Sequence, residues 1–286
     1  MAYRSLGSSG LTVSVLSLYL AAVPTPRAAE AQRAALEHGH RRGINHFVLV
    51  QPPDGRPLAA AAPLNQLLRR QRDRTVLSVY AQRPLQPAAM HHGSRKHLRA
   101  SLDHTLADLD IDYVDILYAH RYNPQVPLEE TAAALAEAIQ RGKALHAGVS
   151  YWPPAPARNL AALLYGHGIQ LTAHHSPLSS HRPDDANDLL RALEGTGVGC
   201  LACPPRAFAC SPPTPCVPEV PAAALDPAQR ASGTARWDYC PCRHQERGPQ
   251  RDLEWVLAQP TVTTACVPTC HPGCLDAYLT ALPASR

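Results

Sequence analysis

The chain has 286 residues, 45% of them apolar, which is enough to bury a sizeable core and excludes wholesale disorder. Its formal charge of +4 is small for this length and scattered, with no basic stripe of the kind that tracks a phosphate backbone, so no nucleic-acid partner is expected. No stretch is long and apolar enough to cross a bilayer, and a soluble, cytoplasmic protein without a membrane partner is the expectation.

Tyr3–Leu6 and Leu11–Ser14 flank Gly7-Ser8-Ser9-Gly10 and read as a β-hairpin. Val13–Val23, with Arg4 ahead of it, imitates a signal-peptide core, but Val15–Leu18 reads better as a first buried strand. Ala28–Arg42 is helical and stops at Gly43; Ile44–Val50 is a strand, Leu58–Arg70 a helix and Val76–Ala81 a third strand. The clearest helix is Ser94–Leu109, where Leu98, Leu102, Leu106 and Leu109 share one face and Arg95, Arg99 and Asp103 lie elsewhere. Tyr113–Ala119 follows as a strand. Leu128–Arg141 is an Ala-rich helix with Glu129 and Glu130 at its positive N-terminal end, and Gly142 stops it before the strand Ala144–Val149. Pro154 opens a helix reaching about Tyr165, after which Leu171–His174, Asp184–Glu194 and Gly199–Cys203 continue the alternation.

The alternation fails from Pro204 to Pro249. Prolines at 204, 205, 212, 213, 215, 218 and 221 each remove a backbone donor and bias the preceding residue away from helix, so this segment is expected to be the least ordered and to lack a full seventh helix. Regularity returns in Asp252–Leu257, Val262–Val267 and Gly273–Leu282. Strand–helix repetition with short turns implies a parallel sheet, and seven or eight repeats imply closure. The expected fold is therefore an α/β, (β/α)8 TIM barrel with an N-terminal β-hairpin. Residues 1–286 form one barrel, and 204–249 is an irregular Pro/Cys-rich, insert-like segment around a shortened seventh helix.

Gly93-Ser94-Arg95-Lys96 opens a stretch ending in Asp112-Tyr113-Val114-Asp115-Ile116-Leu117-Tyr118-Ala119-His120-Arg121, in which a helix leads into a fourth strand with a histidine at its end. Pro127-Leu128-Glu129-Glu130-Thr131 then runs through Gly142-Lys143-Ala144-Leu145 to Gly148-Val149-Ser150. Together these resemble the aldo-keto reductase family, nearest the branch with L-glyceraldehyde 3-phosphate reductase and the potassium-channel beta subunits. The likeness is nearly gap-free from Tyr3 to Cys203, and beyond that only the Val262–Leu282 unit is recognisable.

The resemblance implies NADPH-dependent reduction of a small aldehyde or ketone at the C-terminal mouth of the barrel. A tyrosine donates a proton to the carbonyl oxygen, a lysine paired to an aspartate tunes that tyrosine, and a histidine orients the carbonyl. The histidine matches His120, the one catalytic residue assigned. The aspartate falls on Val48, the tyrosine on Pro53 and the lysine on Tyr80. Asp54 lies beyond the strand end. Of 27 basic residues only Lys96 and Lys143 are lysines, and both are read as lying at the wrong end of the barrel. For the cofactor, Ser150 matches the nicotinamide-amide contact and His175 the glutamine after the sixth strand. The stacking aromatic falls on Leu178. The phosphate-binding exit of the last strand reads Val267-Pro268-Thr269-Cys270-His271, with His271 taken as the remaining contact. Pro268 lacks an amide donor there. A small family residue is replaced by Tyr19, which would project into the pocket. Turnover is therefore expected to be impaired, the alternatives being a non-catalytic binding or regulatory barrel or a degenerate member without activity.

All nine cysteines lie between Cys200 and Cys274. Cys200-x2-Cys203, Cys240-x-Cys242 and Cys266-x3-Cys270-His271-x2-Cys274 carry zinc-ligand types without a paired spacing, so no metal site is expected from them. Cys200 and Cys203 should point to different faces of their strand, as should His174 and His175.

Overall fold

A computed structural model of the chain describes residues 1–20, 26–50, 61–81, 92–178, 183–203, 248–268 and 272–282. Two short antiparallel strands, β1 (Tyr3–Ser5) and β2 (Thr12–Ser14), form the expected hairpin. Eight parallel strands follow: β3 (Leu16–Leu20), β4 (His46–Leu49), β5 (Val76–Ala81), β6 (Val114–His120), β7 (Ala144–Ser150), β8 (Leu171–Pro177), β9 (Gly199–Cys203) and β10 (Val262–Pro268). They close in chain order, with β10 pairing to both β9 and β3. The helices between them are α1 (Pro26–Arg41), α2 (Ala61–Gln71), α3 (Arg95–Leu109), α4 (Leu128–Gln140), α5 (Pro154–Gly166), α6 (Pro183–Leu193), α7 (Gly248–Ala258) and, after β10, α8 (Pro272–Thr280).

The period-2 alternation of each strand separates two cores. Outward-facing Phe47, Leu49, Leu77, Val79, Leu117, Val149 and Ala202 join helix residues such as Leu36, Leu64, Leu102, Leu135 and Leu160 in the seam between barrel and helices. Inward-facing Val48, Tyr80, Ile116, Tyr118, Leu201, Cys203 and Cys266 fill the interior. Leu6 and Val13 of the hairpin belong to that interior cluster and plug the base. Gly148 makes room for one of the largest interior groups: a Cβ there would stand 2.5 Å from the Tyr118 ring.

The leucine face of α3 is buried as its spacing predicts, and Ser94, read as the first helical residue, instead caps the helix by accepting from the His97 amide at 3.4 Å. Arg99 and Asp103 pair at 3.8 Å on the exposed side. Other elements match with shifts of a few residues at their ends: α7 begins four residues before Asp252, and β8 runs three residues past His174. The irregular segment 204–249 lies outside the described residues except for its last two, which already belong to α7 because Pro249 suits a first helical turn. Among the described residues no helix is long and apolar enough to cross a membrane.

One placement needs correction. In a parallel barrel each helix starts at the end where the preceding strand exits, so Lys96 in the first turn of α3 lies at the mouth end, not the far end. It is nonetheless exposed on the outer ring of helices. Lys143 precedes β7 at the base and is paired with Asp103 at 2.5 Å.

Candidate functional site at the barrel mouth

Strand register sets three of the assigned side chains side by side. His120 pairs in register with Ser150, and Ser150 with His175, so β6, β7 and β8 present them at one level. His120 Nδ1 lies 3.3 Å from Ser150 Oγ, and both residues are buried. Burial, reinforced by Arg121, pushes the His120 imidazole down to about 3, so the ring is neutral at physiological pH.

Tyr80, at the position the resemblance assigns to lysine, occupies the centre. It is 1% exposed, and its ring stacks on His120 at 5.0 Å and on His175 at 5.4 Å. Its hydroxyl hydrogen-bonds His175 Nδ1. Tyr19 does project inward as expected, 6.4 Å from Tyr80, and Tyr118 meets Tyr80 edge-on at 5.5 Å. Val48, at the aspartate position, is fully buried among these apolar neighbours. The result is a polar–aromatic plug across the mouth.

Two strand exits carry non-glycine residues in the left-handed region, Arg121 at φ 59° and Tyr151 at φ 58°. The Arg121 amide donates to Ser150 O at 2.8 Å and the Tyr151 amide to His175 O at 2.9 Å, so each chain stays bound to its neighbour while turning sharply. Such conformations cost free energy and persist where the surroundings hold them. Here the turn brings the Tyr151 ring to 5.5 Å from His120 and 6.3 Å from His175. Burial raises the Tyr151 phenol well above its ordinary value. The sequence reading missed Tyr151, whose only signal was its place directly after Ser150.

Below this layer runs a second polar chain. Ser17 Oγ lies 2.6 Å from both Thr264 Oγ1 and His46 Nδ1, and His46 Nε2 lies 2.6 Å from Ser78 Oγ. Burial lowers His46 to about 3. His174 points away from the interior, as predicted, and sits 3.2 Å from the Trp152 carbonyl, with burial lowering it to about 4.

The cysteine reading needs revision. Cys200 and Cys203 do face opposite sides, Cys200 in the outer seam and Cys203 inside. Local spacing, however, did not reveal that barrel closure brings Cys203 and Cys266 together with His175, their ligand atoms all within 4.8 Å of one another. His175 Nε2 is 2.6 Å from Cys203 Sγ, and burial raises the Cys203 thiol well above its usual value.

The positions that the resemblance assigns to cofactor contacts are mostly enclosed. Ser150 is fully buried against His120, Leu178 packs in the outer seam, and Pro268 ends β10 beside Tyr19. His271, Pro53 and Asp54 lie outside the described residues. An open cleft of about 470 Å³ lies at the opposite end, by the hairpin, and its lining of Ser5, Asn187, Gln259 and neighbours carries no thiol or imidazole. The chemistry-bearing groups gather at the mouth.

The aldo/keto reductase family model matches residues 58–208. L-glyceraldehyde 3-phosphate reductase of Escherichia coli (strain K12) is 39% identical over 214 residues, 72% of this chain and 62% of that protein. A probable voltage-gated potassium channel subunit beta of Oryza sativa subsp. japonica is 34% identical over 155 residues, 53% of this chain and 47% of that protein. The chain thus spans less than two thirds of the length of these relatives. A thermostable aldo-keto reductase crystallised with the inhibitor epalrestat superposes with a TM-score of 0.70 at 22% identity, covering 100% of this chain and 96% of that one, which supports the fold alone.

Proposed function

The chain belongs to the aldo/keto reductase family, and from that premise we propose that it keeps the family's barrel as a binding scaffold while NADPH-dependent reduction of aldehydes and ketones is suppressed. The observation that carries this is Tyr80, buried to 1% and stacked between His120 and His175 where the resemblance asks for a lysine. Membership points to a nicotinamide cofactor, and NADPH is the form the resemblance implies. The mouth fits it badly. Ser150 and His175 spend their polar atoms on His120, Tyr80 and Cys203, so a nicotinamide amide would have to displace buried contacts. His120 remains as a neutral ring able to donate to a carbonyl oxygen, without the family's tyrosine, lysine and aspartate around it. A reducing, cytoplasmic setting suits Cys200, Cys203 and Cys266, which are free thiols.

A second reading rests on the hydrogen bond between Tyr80 and His175. It makes Tyr80 a relocated proton donor for a small carbonyl substrate, with His175 as its partner, provided the ring swings out of the plug. One pair of measurements separates the two readings: nicotinamide fluorescence on titration with NADPH, and NADPH oxidation with small aldehydes. Suppression predicts no saturable signal and no turnover above background. Saturable binding with turnover abolished by Tyr80→Phe would establish the relocated donor instead.

A further inference from the structure

We propose that His175, Cys203 and Cys266 form a binding site for Zn2+ inside the barrel mouth. They come from β8, β9 and β10, three consecutive strands of the closed sheet, and all three are buried. One imidazole and two thiols are the donor types of a borderline-soft d10 ion. A tetrahedral zinc with bonds of about 2.0–2.3 Å holds its ligand atoms roughly 3.3–3.8 Å apart. Here those atoms lie within 4.8 Å of one another, so adjustments on the order of an ångström suffice.

Two further features suit a metal. The first is the imidazole's orientation. With Nδ1 committed to the Tyr80 hydroxyl, the tautomer protonated at Nδ1 leaves the Nε2 lone pair directed at the sulfurs. Ligating histidines are held in this way, with the second ring nitrogen bonded to a fixed partner. The second is charge balance. Binding displaces one proton from Cys203 Sγ and one from Cys266 Sγ, and two thiolates with a neutral imidazole cancel the charge of Zn2+. A neutral assembly is the form a buried, low-dielectric interior tolerates. Three protein ligands leave a fourth position, as in zinc sites that hold water or substrate.

Equilibrium dialysis of the full chain against Zn2+ tests this, and it is independent of whether NADPH binds. The nine cysteines require a background in which Cys210, Cys216, Cys240, Cys242, Cys270 and Cys274 are all changed to serine. One equivalent of zinc is expected there and in the unaltered chain, with about two protons released per ion in weakly buffered solution. Cys203→Ser or Cys266→Ser should remove that equivalent, and Tyr80→Phe should weaken binding by about 10–100-fold through loss of the ring's anchor. Should a serine variant fail to fold, X-ray absorption of the zinc-loaded background protein reads the same site directly: two sulfurs at about 2.3 Å and an imidazole nitrogen at about 2.0–2.1 Å. If the background fails to fold, the same spectrum and proton count are taken on the unaltered chain. Zinc retained after Cys203→Ser, a shell without both sulfur and imidazole, binding without proton release, or a Cys203–Cys266 disulfide in the freshly purified protein would each overturn the proposal.

Discussion

The seam between strands and helices and the interior of the mouth are built from the same strands, yet they obey different constraints. On the outward side Phe47, Leu49, Val79, Leu117 and Val149 have only to be apolar and of fitting size, because they meet leucines and alanines of the helices. On the inward side Val48, Tyr80, His120, Ser150 and His175 hold particular atoms at particular distances. Alternation lets the two sets vary independently, because successive residues of a strand face opposite sides. β6 and β7 present His120 and Ser150, whereas β4 and β5 present Val48 and Tyr80 where the resemblance implies an ion pair. A scaffold and its chemistry are thus separable at single-residue resolution.

The largest expected effect is on stability in acid. His46, His120 and His174 are held neutral by burial, with folded values of about 3, 3 and 4 against an ordinary 6.5. Below pH 6.5 the unfolded chain binds protons that the folded chain refuses. Stability is therefore complete above that value and falls as the pH drops toward the folded values, by roughly 1.4 kcal/mol per pH unit for each ring. Three rings together should consume most of a typical domain's stability by about pH 4.5. Urea midpoints measured from pH 7.5 down to 4.5 check this; a flat profile would show that these rings take up protons in the folded barrel.

Carbonyl reduction should lie at least about a thousandfold below that of a working family member, since general acid catalysis alone is worth roughly 10²–10⁴. Steady-state NADPH oxidation with a panel of small aldehydes measures it, and ordinary turnover would mean that Val48 and Tyr80 do not stand where the ion pair belongs. On the outer side, Leu102→Asp would bury an unpaired charge in the seam and should cost on the order of 3 kcal/mol. An unchanged melting temperature would break the assignment of that face. The smallest effect probes the interior's steric limit. Gly148→Ala should destabilise by about 1–3 kcal/mol, because its Cβ meets the Tyr118 ring at 2.5 Å. Denaturant unfolding of the variant reports whether the ring yields instead.

The seam was readable in the sequence because it is periodic. Leu98, Leu102, Leu106 and Leu109 announce a helix face without reference to any other element. The places of His120 and Ser150 at strand ends were readable because both lie within the stretch that carries the resemblance. The cluster of His175, Cys203 and Cys266 was not readable, since its members are separated by 28 and 63 residues and meet only when the sheet closes on itself. Spacing rules that look for ligands a few residues apart cannot report a site made by β8, β9 and β10 together. The capping role of Ser94 was misjudged because it depends on where a helix starts, the least certain feature of any periodic reading, and the end at which Lys96 lies because a period locates a helix without saying at which end of the barrel it begins.

Closure itself leaves a mark on how the chain must assemble. The first barrel strand, β3, pairs with the last, β10, and Arg4 of the hairpin donates to Val262 O at 2.7 Å and Leu257 O at 2.9 Å across some 250 residues of chain. On a ribosome, β3 therefore waits with one edge unsatisfied until residue 268 has emerged. Such an edge is a template for any other unpaired strand. The entropy of joining distant ends is met only at the final step, so the slowest event and the exposure to misassociation coincide in the same seam.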